Sequence, residues 1–219
     1  MFATGKMKFA KATAGGGVDA DFIAHWEFDE SSGTTAADSV GSYDATMTNG
    51  ATFAAGKIGN AGSFDGFNDV ALVSDDVALR IGTSDFSLAW WEKNDIDSGS
   101  NNNVRFDKGG VSGSGSIYFY QVNYRLRING SDVFNGIGST TIGAWTHLAI
   151  VRSSGTIRFY KNGSQLGGNY ANTANINSSA NIGIGAEPDG DRSFDGLLDD
   201  FRFYKRALST GEITTLASV

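Results

Sequence analysis

Residues 25–33 read HWEFDESSG and set three carboxylates, Glu27, Asp29 and Glu30, beside a histidine and a tryptophan. In a strand, Glu27 and Asp29 share one face, with Cα atoms about 6.6–6.8 Å apart from a rise of about 3.3 Å per residue. A pair so spaced can seat an acid and a nucleophile, which retaining glycosidases hold about 5–5.5 Å apart between carboxyl groups. The same residues also read as a structural strand, with Trp26 and Phe28 in the core and the acids at a solvated edge.

Other chemistries have less to work with. His25 and His147 are the only histidines. No serine lies in a strand-to-helix G-x-S-x-G context and no second histidine stands at metal spacing, so neither a hydrolase triad nor a zinc site is expected. The absence of cysteine excludes disulfides, thiolate metal sites and cysteine nucleophiles. Gly113-Ser114-Gly115 lacks the helix and lysine of a phosphate loop and reads as a turn. For sugar binding, Trp91, Tyr118, Tyr120 and Tyr124 offer ring faces and Arg127 a hydroxyl-fixing group, with the loop NDIDSGSNNN (94–103) as a rim. The alternative for these aromatics is ordinary sheet packing.

The elements that must position these groups are strands. Thirty glycines, a single proline (Pro188) and many Ser, Thr and Asn residues, with 40% hydrophobic content over 219 residues, fit short strands joined by tight turns around one core. Alternation predicts strands over 22–28, 69–73, 85–93, 116–121, 124–128, 145–151, 156–161 and 196–204. Turn chemistry separates them at Thr48-Asn49-Gly50, Asn129-Gly130 and Asn162-Gly163. In FSLAWWEK, Phe86, Leu88 and Trp90 share a face and Trp91 points to the other. Several strands carry apolar residues on both faces, as expected of a sheet covered on each side. The one convincing helix is ALSTGEITTLA, where Ser209 and Glu212 have capping-box spacing. The expected class is therefore all-β, a sandwich or jelly roll over 21–219 with one short C-terminal helix.

Charge divides the chain. Residues 1–17 hold Lys6, Lys8 and Lys11 and no acid, which leaves 14 basic against 24 acidic residues in the rest. A net charge of −7 argues against nucleic-acid binding, which needs clustered Lys and Arg. No apolar run approaches the 18 residues of a membrane span. The glycine-containing arm (1–20) lacks the apolar stretch of a secretory signal and is expected to stay on the chain. With so little apolar content it cannot offset its own ordering entropy, so another protein subunit is expected to hold it in an oligomeric assembly.

Five stretches in series carry a resemblance: HWEFDESSG, AGSFDGFNDVALV (61–73), FSLAWWEK (86–93), WTHLAIVRSSGTIRFYKNGSQLG (145–167) and NIGIGAEPDGDRSFDGLLDDFRFYKRALSTGEI (181–213). Together they resemble a laminin-G-like jelly roll of the concanavalin A-like lectin and glucanase superfamily, over residues 22–216. The resemblance implies two stacked antiparallel sheets, one concave and one convex, with chain ends close together, and places the candidate sugar residues on the concave sheet. The glucanases of the superfamily set E-x-D-x-E on an internal strand of that sheet. Here the third place is Ser31 and the strand is the first of the domain, so a hydrolase using Glu27 and Asp29 is the least favoured reading. Many laminin-G-like domains use Ca²⁺, which takes six to eight oxygens. Two places offer them: the loop EPDGDRSFD with Glu187, Asp189 and Asp191, and Asp199 and Asp200 of GLLDD, which meet Asp29 or Asp65 if the terminal strands pair. Neither matches an EF-hand, and solvated acids are the default. The functional expectation is a non-catalytic structural or adhesion module on a phage or viral particle, anchored by its arm and contacting cell-surface glycans. The alternative is a bacterial carbohydrate-binding module, placed like the first at an extracellular or cell surface.

Overall fold

The computed structural model describes residue 18 and residues 21–95, 103–120 and 123–219. Lys6, Lys8 and Lys11 and most of the 94–103 loop lie outside that set.

Asn-Gly pairs make the predicted turns because both residues tolerate positive φ. Asn49 and Gly50 stand at φ 61° and 127°, Asn129 and Gly130 at 50° and 71°, and Asn162 and Gly163 at 48° and 80°. The strands so divided are β1 (Phe22–Trp26), β2 (Thr35–Ala36), β3 (Ala45–Thr48), β4 (Thr52–Ala55), β5 (Asn60–Asp65), β6 (Val70–Val73), β7 (Phe86–Asn94) and β8 (Val104–Lys108). There follow β9 (Ile117–Tyr120), β10 (Arg125–Ile128), β11 (Ser131–Asn135), β12 (Thr146–Ser153), β13 (Thr156–Lys161), β14 (Ser164–Ala171), β15 (Ile182–Ile184) and β16 (Asp195–Tyr204), and the helix α1 (Thr210–Leu216) ends the chain.

They form two antiparallel eight-stranded sheets. The first runs β14-β13-β12-β7-β16-β5-β4, with β1 also on β16, and the second runs β11-β10-β9-β8-β15-β6-β3-β2. The alternation predicts a sandwich or jelly roll and the family resemblance two stacked antiparallel sheets, and a jelly-roll sandwich is what the chain forms. Along β16 the register shifts between Asp199 and Arg202, and the strand changes neighbour from β5 to β1 at that bulge. The inner faces meet in one core that includes Trp26, Phe28, Trp90, Phe106, Phe119, Phe201 and Phe203.

The outer face of the first sheet is covered over part of its length. Ala89, Ala149, Val151, Tyr160 and Tyr204 pack against Leu208, Ile213 and Leu216, with Val18 and Phe22 alongside. This cover explains the strands that are apolar on both faces, and it brings the first and last described segments together. Helix α1 starts at the expected capping box: the Ser209 hydroxyl accepts from Glu212 N–H, and the Glu212 carboxylate accepts from Ser209 N–H at 2.8 Å.

Candidate functional site

The opening acids do not face one another on a strand. Strand β1 stops at Trp26, and Phe28 adopts φ 55°, which breaks the period of two that would align Glu27 with Asp29. Asp29 Oδ1 accepts the Asn60 amide at 2.8 Å, and Glu30 Oε1 accepts the Ala37 amide at 2.9 Å. These carboxylates tie loops to the sheet, and the two-acid geometry expected for hydrolysis is absent from this segment.

The calcium set is likewise spent on structure. Asp199 is fully buried, and its Oδ2 accepts the Lys57 and Ile58 amides at 2.7 and 2.8 Å, fixing the β4–β5 turn. Burial, with Asp200 and Asp29 nearby, pushes the Asp199 carboxyl up to about 7. Asp200, at φ 52°, accepts from His25 Nε2 at 2.7 Å and Arg202 Nε at 2.8 Å. Burial opposes its charge, yet these partners hold its carboxyl below the usual range. Asp189 Oδ1 accepts the Asp191 amide at 3.1 Å and closes a local turn. Among the described residues no three acidic or histidine side chains converge as metal ligands.

The aromatic set divides between the two sheets and the core. Trp91 lies on the first sheet, edge-on to His147 with ring centroids 5.3 Å apart and with Lys57 Nζ 4.8 Å from its own centroid. Burial pushes His147 down to about 4, so its ring is neutral. Tyr118, Tyr120 and Arg127 belong to the second sheet, where the tyrosines form a small cluster with Val104 outside the main core. Neither ring is presented: Tyr118 is 0% exposed and Tyr120 4%, with the Arg125 guanidinium 5.4 Å from the Tyr120 centroid. Tyr124, expected with them, is instead in the core between Phe119 and Phe159. The alternation of YRLRI puts Tyr124 on the side of Leu126 and Ile128, a signal that separates it from Arg127.

What the structure does assemble is an open cleft of about 480 Å³ at one end of the second sheet, lined by Asp107, Gly109, Gly110, Ser178, Glu187 and Asp189, among others. Its floor is Asp107 of β8, paired with Tyr118 of β9 on one side and Gly183 of β15 on the other. Gly183 is what lets the cleft form a wall, since a Cβ there would overlap the Ala186 carbonyl oxygen where residues 186–188 cross the sheet. Gly190 N–H donates to Glu187 O at 2.8 Å and closes that crossing into a turn with Pro188 at its second position. Opposite it, Gly109 at φ 100° leaves space that a side chain would take from Ser178.

Glu187 is fixed by the Tyr118 hydroxyl, which donates to its Oε1 at 2.7 Å, and by an ion pair with Arg192. Burial raises the Tyr118 hydroxyl well above its ordinary value, and the hydrogen bond to Glu187 adds to the shift. Asp107 is 1% exposed; its Oδ1 accepts the Gly110 amide at 2.8 Å. Burial first, then the Glu187 and Asp189 charges, push its carboxyl up to about 7. Three acids against Arg192 make the cleft hostile to anions. Its carboxyl, hydroxyl and backbone groups suit the hydroxyls of an uncharged ligand. Sequence reasoning singled out Glu187 and Asp189 as calcium candidates and Tyr118 as a stacking ring, and missed Asp107, the paired glycines after it and Ser178, whose convergence depends on strand pairing across the sheet.

A family model described as the concanavalin A-like lectin/glucanases superfamily, of laminin-G type, matches residues 64–214. A stretch of the chain is 31% identical over 125 residues to adhesion G-protein coupled receptor V1 of Danio rerio, covering 48% of this chain and 2% of the receptor. Domain 4 of an extracellular arabinanase from Geobacillus stearothermophilus, solved with arabinotriose, superposes with a TM-score of 0.73 at 22% identity, over 90% of this chain and 98% of that one. The binding domain of Paraclostridial Mosquitocidal Protein 1 superposes with a TM-score of 0.69 at 15% identity, over 91% of this chain and 52% of that one. At these identities the two structures speak for the fold alone.

Proposed function

The chain belongs to the concanavalin A-like lectin/glucanase superfamily, and from that premise we propose that it is a non-catalytic adhesion module of a cell or particle surface, holding an uncharged glycan in the Asp107 cleft. The carrying observation is the cleft: a nearly buried carboxyl on its floor, a serine and paired glycines on one side, and a proline turn pinned by Gly183 on the other. Small-molecule sites are concave and hold a few fixed polar groups, which is what these residues provide. The adhesion receptor and the arabinotriose-bound domain among the similar proteins agree with that reading. The commitment of Asp29 to a backbone amide favours binding without hydrolysis.

The particle-surface part of the proposal rests on the basic arm, with Val18 at its end packed into the cluster under α1. The three lysines of residues 1–17 are proposed to dock on a second subunit, with a phage or viral surface as the setting. Light scattering of the full chain and of a chain lacking residues 1–17 tests this. Assembly by the full chain alone supports the anchor, and two monomers contradict it.

Glycan binding is tested on an array of neutral, amino and anionic oligosaccharides with the full chain and its Ser179→Trp variant. Ser179 is exposed on the cleft wall, so a tryptophan there plugs the cleft without touching the core. Binding of neutral glycans that Ser179→Trp abolishes is the expected result. Binding that survives the plug, or a preference for anionic glycans, overturns the assignment.

A further inference from the structure

Phe67 is 80% exposed, more than any other large hydrophobic side chain among the described residues. The fold therefore forgoes the stabilisation that burying a phenyl ring gives. Yet the turn that carries it, between β5 and β6, is firmly held. Phe67 N–H donates to Asp65 Oδ1 at 2.9 Å, Asp65 N–H donates to Asp69 Oδ2 at 3.0 Å, and Gly66, at φ 76°, donates to Phe194 O at 3.0 Å. Ser193 Oγ donates to Asp69 O at 2.9 Å. A ring so exposed on so fixed a turn is presented to something.

What lies next to it is the wall of the cleft. A Cβ on Gly190 would stand 2.7 Å from Asn68 O and 2.9 Å from Asn49 Nδ2, so the turn that closes at Gly190 rests directly on the Phe67 turn. Glu187, Pro188 and Asp189 of that same turn line the cleft. From Asp189 to Phe67 the path is one residue on each side of this contact, about 10–12 Å at 3.8 Å per Cα step. Polar groups flank the route. Asn49 Nδ2 donates to Asn68 O at 2.9 Å, and Asp69, 2% exposed, has Oδ1 buried without a protein partner, 2.8 Å from where a Gly50 Cβ would be.

We propose that Phe67 is the stacking platform of a second sugar subsite, and that the ligand is a neutral oligosaccharide running from the Asp107 cleft over the Glu187–Gly190 turn onto the phenyl ring. The inference rests on the cleft being the first subsite. Asn49, exposed beside this turn, receives the oligosaccharide's hydroxyls, and the nearby carboxylates Asp65, Asp189 and Asp195 exclude anionic chains.

The test is calorimetric titration of the full chain with arabinose, arabinotriose and mannotriose, for the unaltered protein, Phe67→Ala, Phe67→Trp and Ser179→Trp. Phe67→Ala is expected to weaken trisaccharide binding about tenfold, the effect of uncovering roughly half a ring face, and to leave monosaccharide binding and the melting temperature unchanged. Phe67→Trp restores or strengthens the trisaccharide, and Ser179→Trp abolishes binding of both lengths. If Phe67→Ala binds trisaccharide as tightly as the unaltered chain while Ser179→Trp does not, the second subsite is refuted and the cleft stands. If the unaltered chain binds neither trisaccharide, the cleft reading fails and this inference with it.

Discussion

Glu92 of β7 and Arg105 of β8 form an ion pair between the two sheets, both side chains 0% exposed. Arg105 Nε donates to Glu92 Oε2 at 2.9 Å and Nη2 to Oε1 at 3.2 Å, a bidentate fork, while Nη1 donates to Asn103 O at 2.8 Å and Nη2 also reaches Thr140 Oγ1. Trp90 Nε1 donates to the same Glu92 Oε2 at 3.3 Å. The pair lies two residues from Asp107 and locks the strand that floors the cleft. Truncating one partner strands the other charge in the core, which costs about 3–5 kcal/mol. For a domain of this size each kcal/mol lowers Tm by about 2–4 °C, so Arg105→Met or Glu92→Met alone is expected to lower it by about 6–20 °C. Replacing both removes both desolvation penalties and is expected to restore stability to within about 1 kcal/mol of the unaltered chain or above it. Urea denaturation of the four proteins of the cycle reads this directly. If the double variant loses the sum of the two single losses, the pair is not an isolated buried unit and the reasoning is wrong.

Asp199 has its folded carboxyl pushed up to about 7 from 3.8. Between those values the folded chain binds the extra proton, so stability declines as pH rises from about 4 to 7; Asp199→Asn, followed by urea denaturation across that window, is expected to flatten the decline. Glu212 behaves oppositely. The Arg206 guanidinium, with Ser209, holds its carboxyl down to about 2 from 4.5, so its contribution is complete above about 4.5 and disappears as pH falls through 2. Glu212→Gln removes that acid dependence and lowers stability at pH 7 by about 1 kcal/mol through loss of the Arg206 ion pair, glutamine keeping the capping-box acceptor, measured by thermal denaturation at pH 7 and pH 3. Trp91, 5% exposed between His147 and Lys57, is expected on alanine substitution to cost about 3–5 kcal/mol of stability; glycan affinity of the molecules still folded is expected to stay unchanged in a titration below their Tm.

Local chemistry made much of the fold legible. Asn-Gly pairs mark the β10–β11 and β13–β14 hairpins and the turn by which β3 passes to β4 of the other sheet, Ser209 and Glu212 mark the helix start, and FSLAWWEK announces a strand covered on both faces. Positions where backbone geometry breaks the period were opaque. Nothing local in HWEFDE signals that Phe28 turns to φ 55°, and nothing in GLLDDFRFY signals the bulge where β16 changes neighbour. The candidate site was legible only in pieces. Glu187 and Asp189 stand out as loop acids, but their meeting with Asp107 is decided by β8 pairing with β15, more than 70 residues further along the chain. Gly183 looks like any strand glycine until the 186–188 segment is seen crossing above it. Trp91 and the tyrosines read alike in sequence because both occupy alternating strands, and only sheet order separates them.

The central claim, a neutral glycan in the Asp107 cleft, is tested most directly by amide chemical-shift mapping of the ¹⁵N-labelled chain as arabinotriose or mannotriose is added. The account predicts saturable shifts confined to residues 107–110, 178–180, 187, 189 and 190, with Phe67 and Asn68 following for the trisaccharides. Shifts centred on Trp91 and His147 of the other sheet, or none with either sugar, contradict it.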